Sequence, residues 1–139
     1  MPLISNTNGA IDRTRLATWA TKEEKVTVVA ATDAATVQVA ATLAAAAEVV
    51  YTMTPTATRT LTTPTGAELG AAFTDEAVGS SFRFSVVNGA ATTHAITLTA
   101  GASGVTLGGV AGMATIAAAS SASFVAVFTA ANTVTIYRK

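Results

Sequence analysis

The chain has 139 residues, which is room for one domain. Charged residues make up 12% of it, about half the share of roughly 25% that is usual in soluble domains, and the formal net charge is zero. This balance argues against nucleic-acid binding through a broad basic surface and against adsorption to anionic membranes. The chain contains no cysteine, which excludes disulfides, thiolate metal sites and cysteine nucleophiles.

The N-terminal part differs in composition from the rest of the chain. Nearly half of the charged residues lie between Asp12 and Lys25, whereas Arg83 is the only charged residue from Ala77 to Tyr137. Residues 1–25 show no sustained helical or strand period, and they lack the basic leader and the apolar run of a signal peptide. We therefore predict an extended N-terminal arm, residues 1–25, followed by a β domain over residues 26–139.

Strands are predicted along the whole β domain, because apolar and polar residues alternate there with a period of two. Three turn sequences predict hairpins: Thr32-Asp33-Ala34, Asn88-Gly89 and Ala130-Ala131-Asn132. Asn-Gly is a strong hairpin signal because type I′ turns need positive φ. The predicted strands are residues 26–30, 36–40, 48–54, 58–62, 81–86, 93–99, 114–118, 123–129 and 133–138.

One short helix is predicted at about residues 65–73. Thr65 and Glu68 have the spacing of a capping box, in which each side chain binds the backbone N–H of the other. The run Ala44–Ala47 has helical propensity, but the Thr and Val residues around it favour a loop or a strand extension. These elements predict an all-β fold, either a sandwich of jelly-roll type or a small barrel, with this one helix and the N-terminal arm.

The sequence offers little for catalysis. His94 is the only histidine, and it alternates with Ile96 and Leu98 as a structural residue would. Asp75 and Glu76 are adjacent carboxylates without a third ligand nearby, so a solvated loop is favoured over a metal site. No nucleophile motif and no phosphate loop occurs. We therefore predict no catalytic, cofactor or metal site, and we do not expect an enzyme.

Candidate binding residues lie in the arm. Arg13 and Arg15 are suited to pairing with acidic groups on a protein, and Leu16 and Trp19 add apolar contact area. Trp19 has two interpretations of equal weight: it closes one end of the β core, or it is an anchor at an interface, where tryptophan is enriched. We predict that Arg13, Arg15, Leu16 and Trp19 bind a partner.

A second candidate lies within the β domain. Arg83 stands between Phe82 and Phe84, and strand alternation turns it away from the phenylalanine face toward solvent or a neighbouring subunit. Low charge and a weakly polar surface favour association. Arg83 is therefore predicted to lie at a subunit interface of a homo-oligomer.

Six segments of the second half of the chain form a recognisable pattern: Leu61–Thr65, Gly79–Asn88, His94–Gly101, Gly104–Gly109, Ser123–Thr129 and Thr133–Tyr137. This pattern is similar to that of small β proteins of tailed-bacteriophage virions, of the capsid decoration (cement) kind. The resemblance implies a homotrimer that is made in the host cytoplasm, sits on the capsid exterior and binds the major capsid protein, without cofactor, nucleic acid, membrane or enzymatic activity.

Two other functions compete with capsid decoration. A receptor- or carbohydrate-binding β module of a phage fibre or tail usually exposes a cluster of aromatic side chains, whereas here Tyr51, Tyr137 and Trp19 are scattered along the chain. A small hydrolase on a β scaffold is disfavoured by the single histidine and the missing nucleophile motif. The fibre or tail module is therefore the second interpretation.

Overall fold

The computed structural model describes residues 25–74 and 77–139. Strands account for 45% of the structure and helices for 11%, so the fold is largely β. The two helices of the described ranges are α1 (Ala40–Ala44) and α2 (Gly66–Ala72). The strands are β1 (Val26–Ala30), β2 (Thr36–Val37), β3 (Glu48–Met53), β4 (Arg59–Thr62), β5 (Ser81–Asn88), β6 (Ile96–Thr99), β7 (Val105–Leu107), β8 (Thr115–Ile116), β9 (Ser120–Ala130) and β10 (Thr133–Arg138).

Successive strands alternate between two sheets as far as β8. The six-stranded sheet has the order β1-β3-β5-β9-β10-β7, and the four-stranded sheet has the order β2-β4-β6-β8. β1, β3 and β5 run parallel to one another, as do β2, β4 and β6. The chain therefore coils from sheet to sheet for three turns before β9 and β10 complete the larger sheet. Jelly rolls are built from antiparallel strands, so this mixed pairing fits that expectation less well.

Two of the three predicted hairpins are wrong. The connections at Thr32-Asp33-Ala34 and at Asn88-Gly89 each join strands of different sheets. Asn88 is the last residue of β5, and its buried amide donates to the carbonyls of His94 (2.8 Å) and Ile116 (3.0 Å) instead of occupying a turn. The third hairpin is confirmed, since β9 and β10 are antiparallel and Asn132 between them has φ 55°.

The expectation of a single helix is also wrong. α1 precedes the alanine run and ends at Ala44, so residues 45–47 lie outside it as a turn and bends. This helix has no side-chain cap, and Leu43 is the residue that it buries. Its formation therefore depends on alanine propensity and on burial of one leucine rather than on a local start signal. Neither helix of the described residues could cross a membrane, because none is long and apolar enough.

α2 confirms the predicted capping box. Thr65 N donates to Glu68 Oε2 at 2.8 Å, and Glu68 N donates to Thr65 Oγ1 at 3.3 Å. Behind the helix, the ring of Phe73 stacks on Phe82 with 4.8 Å between centroids. The cap sets the start of the helix, and the leucine at its centre, Leu69, is fully buried.

A single hydrophobic core lies between the two sheets. Four of its phenylalanines, Phe82, Phe84, Phe124 and Phe128, are buried, and Phe84 stacks on Phe124 with 5.1 Å between centroids. Burying a side chain of this size contributes about 1.5–3 kcal/mol to the free energy of unfolding. The core side chains with the least exposure are Val49, Leu69, Phe84, Ile96, Ile116, Phe124, Ala126, Val134 and Ile136.

The two ends of the coil carry different kinds of connection. The loops from β1 to β2, from β3 to β4 and from β5 to β6 lie at one end, because the parallel strands they leave finish there. α1 connects β2 to β3 and α2 connects β4 to β5, so both helices lie at the opposite end. Lys25 is at the helix end too, since its carbonyl accepts from Ala47 N at 2.8 Å.

Candidate functional site

The predicted site residues fall into two groups. Arg13, Arg15, Leu16 and Trp19 lie outside the described residues, so their binding role stays a prediction. Arg83 is described and exposed, between the buried rings of Phe82 and Phe84. Its side chain is thus on the outer face of the six-stranded sheet, and its role at an interface also stays a prediction.

The outer face of the six-stranded sheet is rich in valine. The strand registers place Val26, Glu48, Arg83, Val125 and Tyr137 in one row across five strands. The next row holds Val28, Val50, Ser85 and Ser123. Within these rows Glu48 and Arg83 are the two charged residues. We call this surface the outer sheet face.

The two charges of the outer sheet face have different surroundings. Ser85 Oγ donates a short hydrogen bond to Glu48 Oε1, and Ser85 Oγ is 3.1 Å from Ser123 Oγ. In the described ranges the one ion pair within 4.0 Å is that of Arg59 with Asp33, so Arg83 forms none there. Its guanidinium is therefore available to an acidic or carbonyl group of a partner.

Among the described residues, β1 is an edge strand of this sheet. Edge strands of soluble proteins usually carry a charge, a proline or a bulge that discourages pairing with another chain. β1 has the sequence VTVVA with none of these, and Val26 and Val28 are 58% and 65% exposed. Apolar side chains at an open edge favour contact with a further polypeptide.

A second candidate surface is a groove of about 530 Å³ between α1 and α2. Glu68 contributes a carboxylate to its lining, and the rest of the wall is mostly alkyl. Val39 at its lip is 58% exposed, whereas Gln38 is only 3% exposed. The lining residues are Gln38, Val39, Ala40, Ala41, Pro64, Glu68, Ala71 and Ala72. We call this surface the helix groove.

Buried polar atoms without partners accompany the helix groove. Gln38 Oε1, Gln38 Nε2 and Tyr51 Oη make no hydrogen bond to any described residue. Burial raises the pKa of Tyr51 to about 12, and the backbone of Val39, which approaches the hydroxyl without hydrogen-bond geometry, offsets this in part. Each such unsatisfied group costs about 1–3 kcal/mol. Native structures contain few of them, and Gln38, which lines the helix groove, accounts for two of these three atoms.

Gln38 was not among the residues predicted to bind. The sequence signal is weak: Gln38 and Glu48 both interrupt the stretch from Ala34 to Met53, which consists mostly of Ala, Thr and Val. Its burial depends on α2, which is distant in sequence, so alternation alone does not reveal it. The peptide N–H of Gln38 is bonded to the carbonyl of Thr62, so this backbone donor is paired whereas the side-chain carboxamide is not.

Catalytic and metal sites find no support in the described residues. No group of three or more His, Asp or Glu side chains there is arranged to hold a metal ion. His94 precedes β6 rather than lying within it, and its carbonyl accepts from Asn88. Asp75 and Glu76, the predicted loop carboxylates, lie outside the described residues.

Comparison with known proteins yields no relative. No family model, no curated protein and no solved structure matches the chain. The functional proposal therefore rests on the outer sheet face, the helix groove and the resemblance to capsid decoration proteins.

Proposed function

We propose that this chain is a structural protein of a bacteriophage virion, a capsid decoration protein that associates with copies of itself and stabilises the assembled head. The observation that carries the proposal is the outer sheet face, with its exposed valines and its single central pair of charges. Because few charged side chains solvate this face, covering it removes apolar area from water at small electrostatic cost.

The finer fold class belongs to this proposal. Two sheets that share one core are the arrangement of a β-sandwich, and here the sandwich is wound by alternation of strands between its layers. One layer then packs inward against the four-stranded sheet. The opposite face of the six-stranded layer is free for a neighbouring subunit.

A second copy of the chain is the occupant that we assign to the outer sheet face. Arg83 has no ion pair within 4.0 Å among the described residues, while the neighbouring strand carries Glu48, so the face presents both a cation and an anion. A different surface of the second copy can therefore complement this face in charge as well as in apolar area. A trimer, which the resemblance implies, requires a head-to-tail contact that closes into a ring.

The capsid contact is assigned to the N-terminal segment. Arg13 and Arg15 are the residues proposed to pair with acidic groups of the major capsid protein. Such charge-assisted contacts direct encounter and register. Leu16 and Trp19 are also predicted to bind a partner. The helix groove of the same chain is a second candidate binding site for these two side chains.

Sedimentation of the full chain tests self-association. We expect a stable oligomer at micromolar concentration, and we expect Val28→Lys to weaken it, because the substitution places a charge within the apolar face. Val37→Lys is the matched control, since Val37 is 63% exposed and lies on β2 of the four-stranded sheet. A monomeric wild-type chain would contradict the proposal.

Binding to capsids tests the rest of the proposed function. Empty heads of the phage that encodes this chain should co-sediment with the wild-type protein, and Arg13→Ala with Arg15→Ala should release it. The fibre or tail module is the other outcome, and glycan-array binding without capsid binding would establish it. Tyr51 is buried and Tyr137 is 44% exposed, so the described residues offer no cluster of exposed aromatics for a sugar.

A further inference from the structure

The helix groove has the chemistry of a binding site for polypeptide. The Gln38 carboxamide provides one donor group and one acceptor, both buried and unpaired among the described residues. A backbone peptide unit or an indole N–H supplies the complementary group. The alkyl walls from Val39, Pro64 and Ala72 suit an apolar or aromatic side chain. The groove thus combines an apolar wall with an unused polar group at its base.

The chain itself delivers a suitable segment to this end of the molecule. The carbonyl of Lys25 accepts from Ala47 N, and Ala47 follows the end of α1 by three residues. Residues 1–24 therefore join the fold beside the helices and not at the loop end. Trp19 precedes Lys25 by six residues, so an extended chain carries it up to about 20 Å from Lys25.

Charge supports the same occupant. Glu68 lies on the wall of the groove, and the N-terminal segment carries Arg13 and Arg15 just before Leu16. The Glu68 carboxylate is already held by the backbone and hydroxyl of Thr65, which lowers its pKa and keeps it ionised at neutral pH. An ionised carboxylate beside an apolar groove favours a segment in which apolar and basic residues are neighbours.

We infer that the helix groove is the docking site for Trp19 and Leu16 of the same chain, with the indole N–H donating to the Gln38 carboxamide. Tethering makes this contact intramolecular, so a modest interaction suffices to hold the segment. The base of the N-terminal segment is then fixed against α1 and α2, and the residues before Leu16 extend from there. This inference concerns the chain alone and does not depend on capsid binding.

Tryptophan fluorescence of the full chain reports this contact directly, because Trp19 is the only tryptophan. We expect blue-shifted emission and protection from acrylamide quenching. Ala71→Arg fills the groove from an exposed position of α2, and it should shift the emission to that of water-exposed indole. Ala67→Arg is the matched control, because it adds the same side chain to an exposed position of α2 that does not line the groove.

Two fluorescence results would overturn the inference. Wild-type emission typical of water-exposed indole would show that Trp19 is not docked. Blue-shifted emission that Ala71→Arg leaves unchanged would show that Trp19 is buried elsewhere. Circular dichroism of both variants would confirm that the fold is intact, so a red shift in Ala71→Arg is not mistaken for unfolding.

A cysteine pair identifies which chain supplies the segment. The protein has no cysteine of its own, so Leu16→Cys with Ala71→Cys introduces one defined pair. A disulfide forms only when the two Cα atoms approach to about 7 Å or less. We expect a cross-linked monomer on non-reducing electrophoresis, formed faster than with Leu16→Cys and Ala67→Cys. A cross-linked dimer would show exchange between copies and would overturn the inference, as would no preference between the two pairs.

Discussion

Arg59 Nε lies 2.6 Å from Asp33 Oδ1, and this ion pair joins the start of one strand to the loop that follows another strand. Asp33 is in the connection from β1 to β2, and Arg59 begins β4 after the connection from β3. Thr56 adds hydrogen bonds to Asp33 Oδ2 from its backbone N–H (3.2 Å) and its hydroxyl (2.5 Å). Successive turns of the coil are thus fastened to each other at the loop end.

The first prediction concerns acid stability. Hydrogen bonds from Arg59 and then Thr56 hold the pKa of Asp33 well below its usual range. A carboxylate with a depressed folded-state pKa stabilises the fold above its unfolded pKa of about 3.9, and this contribution is lost as the pH falls toward the folded value. We therefore expect Asp33→Asn to lower the free energy of unfolding at pH 6 but to reduce the further loss between pH 4 and pH 2.

Urea denaturation at several pH values measures this effect. Arg59→Gln removes the main cause of the shift, so it should flatten the same part of the stability profile. The magnitude is small because the pair is exposed and screened by solvent. An unchanged acid slope in Asp33→Asn would show that the ion pair does not contribute.

The second prediction concerns Asn88, whose side chain connects the end of β5 to two other segments. It is 2% exposed, donates to the carbonyls of His94 and Ile116, and accepts from Ala90 N at 3.0 Å. Asn88→Ala leaves these buried groups without partners, so we expect the free energy of unfolding to fall by about 2–4 kcal/mol.

Chemical denaturation of matched variants tests the role of Asn88. Ser121→Ala is a suitable control, because Ser121 is exposed on β9 and should change stability by no more than about 0.5 kcal/mol. Equal stabilities of the two variants would mean that water satisfies the carbonyls of His94 and Ile116, and that Asn88 is not needed there.

Local patterns were sufficient to predict most strands and α2. Phe82 and Phe84 alternate with polar neighbours, and their burial follows from that period alone. The capping box of Thr65 and Glu68 is likewise a local signal, and it is confirmed. These predictions succeeded because a strand face or a helix start is decided by residues a few positions apart.

The pairing of strands was not predictable in the same way. Asn88-Gly89 has the residues of a tight turn, yet burial of the Asn88 amide against β8 outweighs that local preference. Likewise, Gln38 faces the helix groove only because α2, some thirty residues later, packs beside α1. Contacts between segments that are distant in sequence decided these positions. The alternation of apolar and polar residues does not reveal them, because it has the same period of two whichever sheet a strand joins.

The third prediction concerns Gly66 at the start of α2. Replacing glycine by alanine in a helix usually stabilises it by up to about 1 kcal/mol. Here an added Cβ would lie 1.9 Å from the carbonyl oxygen of Asn132 and 2.9 Å from the Cα of Gly104, and neither backbone atom can move aside freely. We expect Gly66→Ala to destabilise the fold by at least about 2 kcal/mol.

Thermal unfolding measures the effect of Gly66→Ala. Ala67→Ser, at the next and exposed position, is the control and should cost no more than about 0.5 kcal/mol. A stabilised Gly66→Ala variant would contradict the prediction, because it would show that a methyl group fits between α2 and the turn that joins β9 and β10.

The last prediction separates the two possible roles of Arg83. Its side chain is exposed and forms no ion pair within 4.0 Å in the described ranges, so Arg83→Ala should change the free energy of unfolding of a separated subunit by less than about 0.5 kcal/mol. At an interface the same side chain would lose a charge-assisted contact, and the association constant should then fall at least about tenfold, which corresponds to 1.4 kcal/mol.

Unfolding at low concentration and sedimentation over a concentration series measure the two quantities independently. A neutral Arg83→Ala with unchanged association would remove Arg83 from the interface, whereas a loss of 3–5 kcal/mol in the separated subunit would indicate a buried partner within the chain.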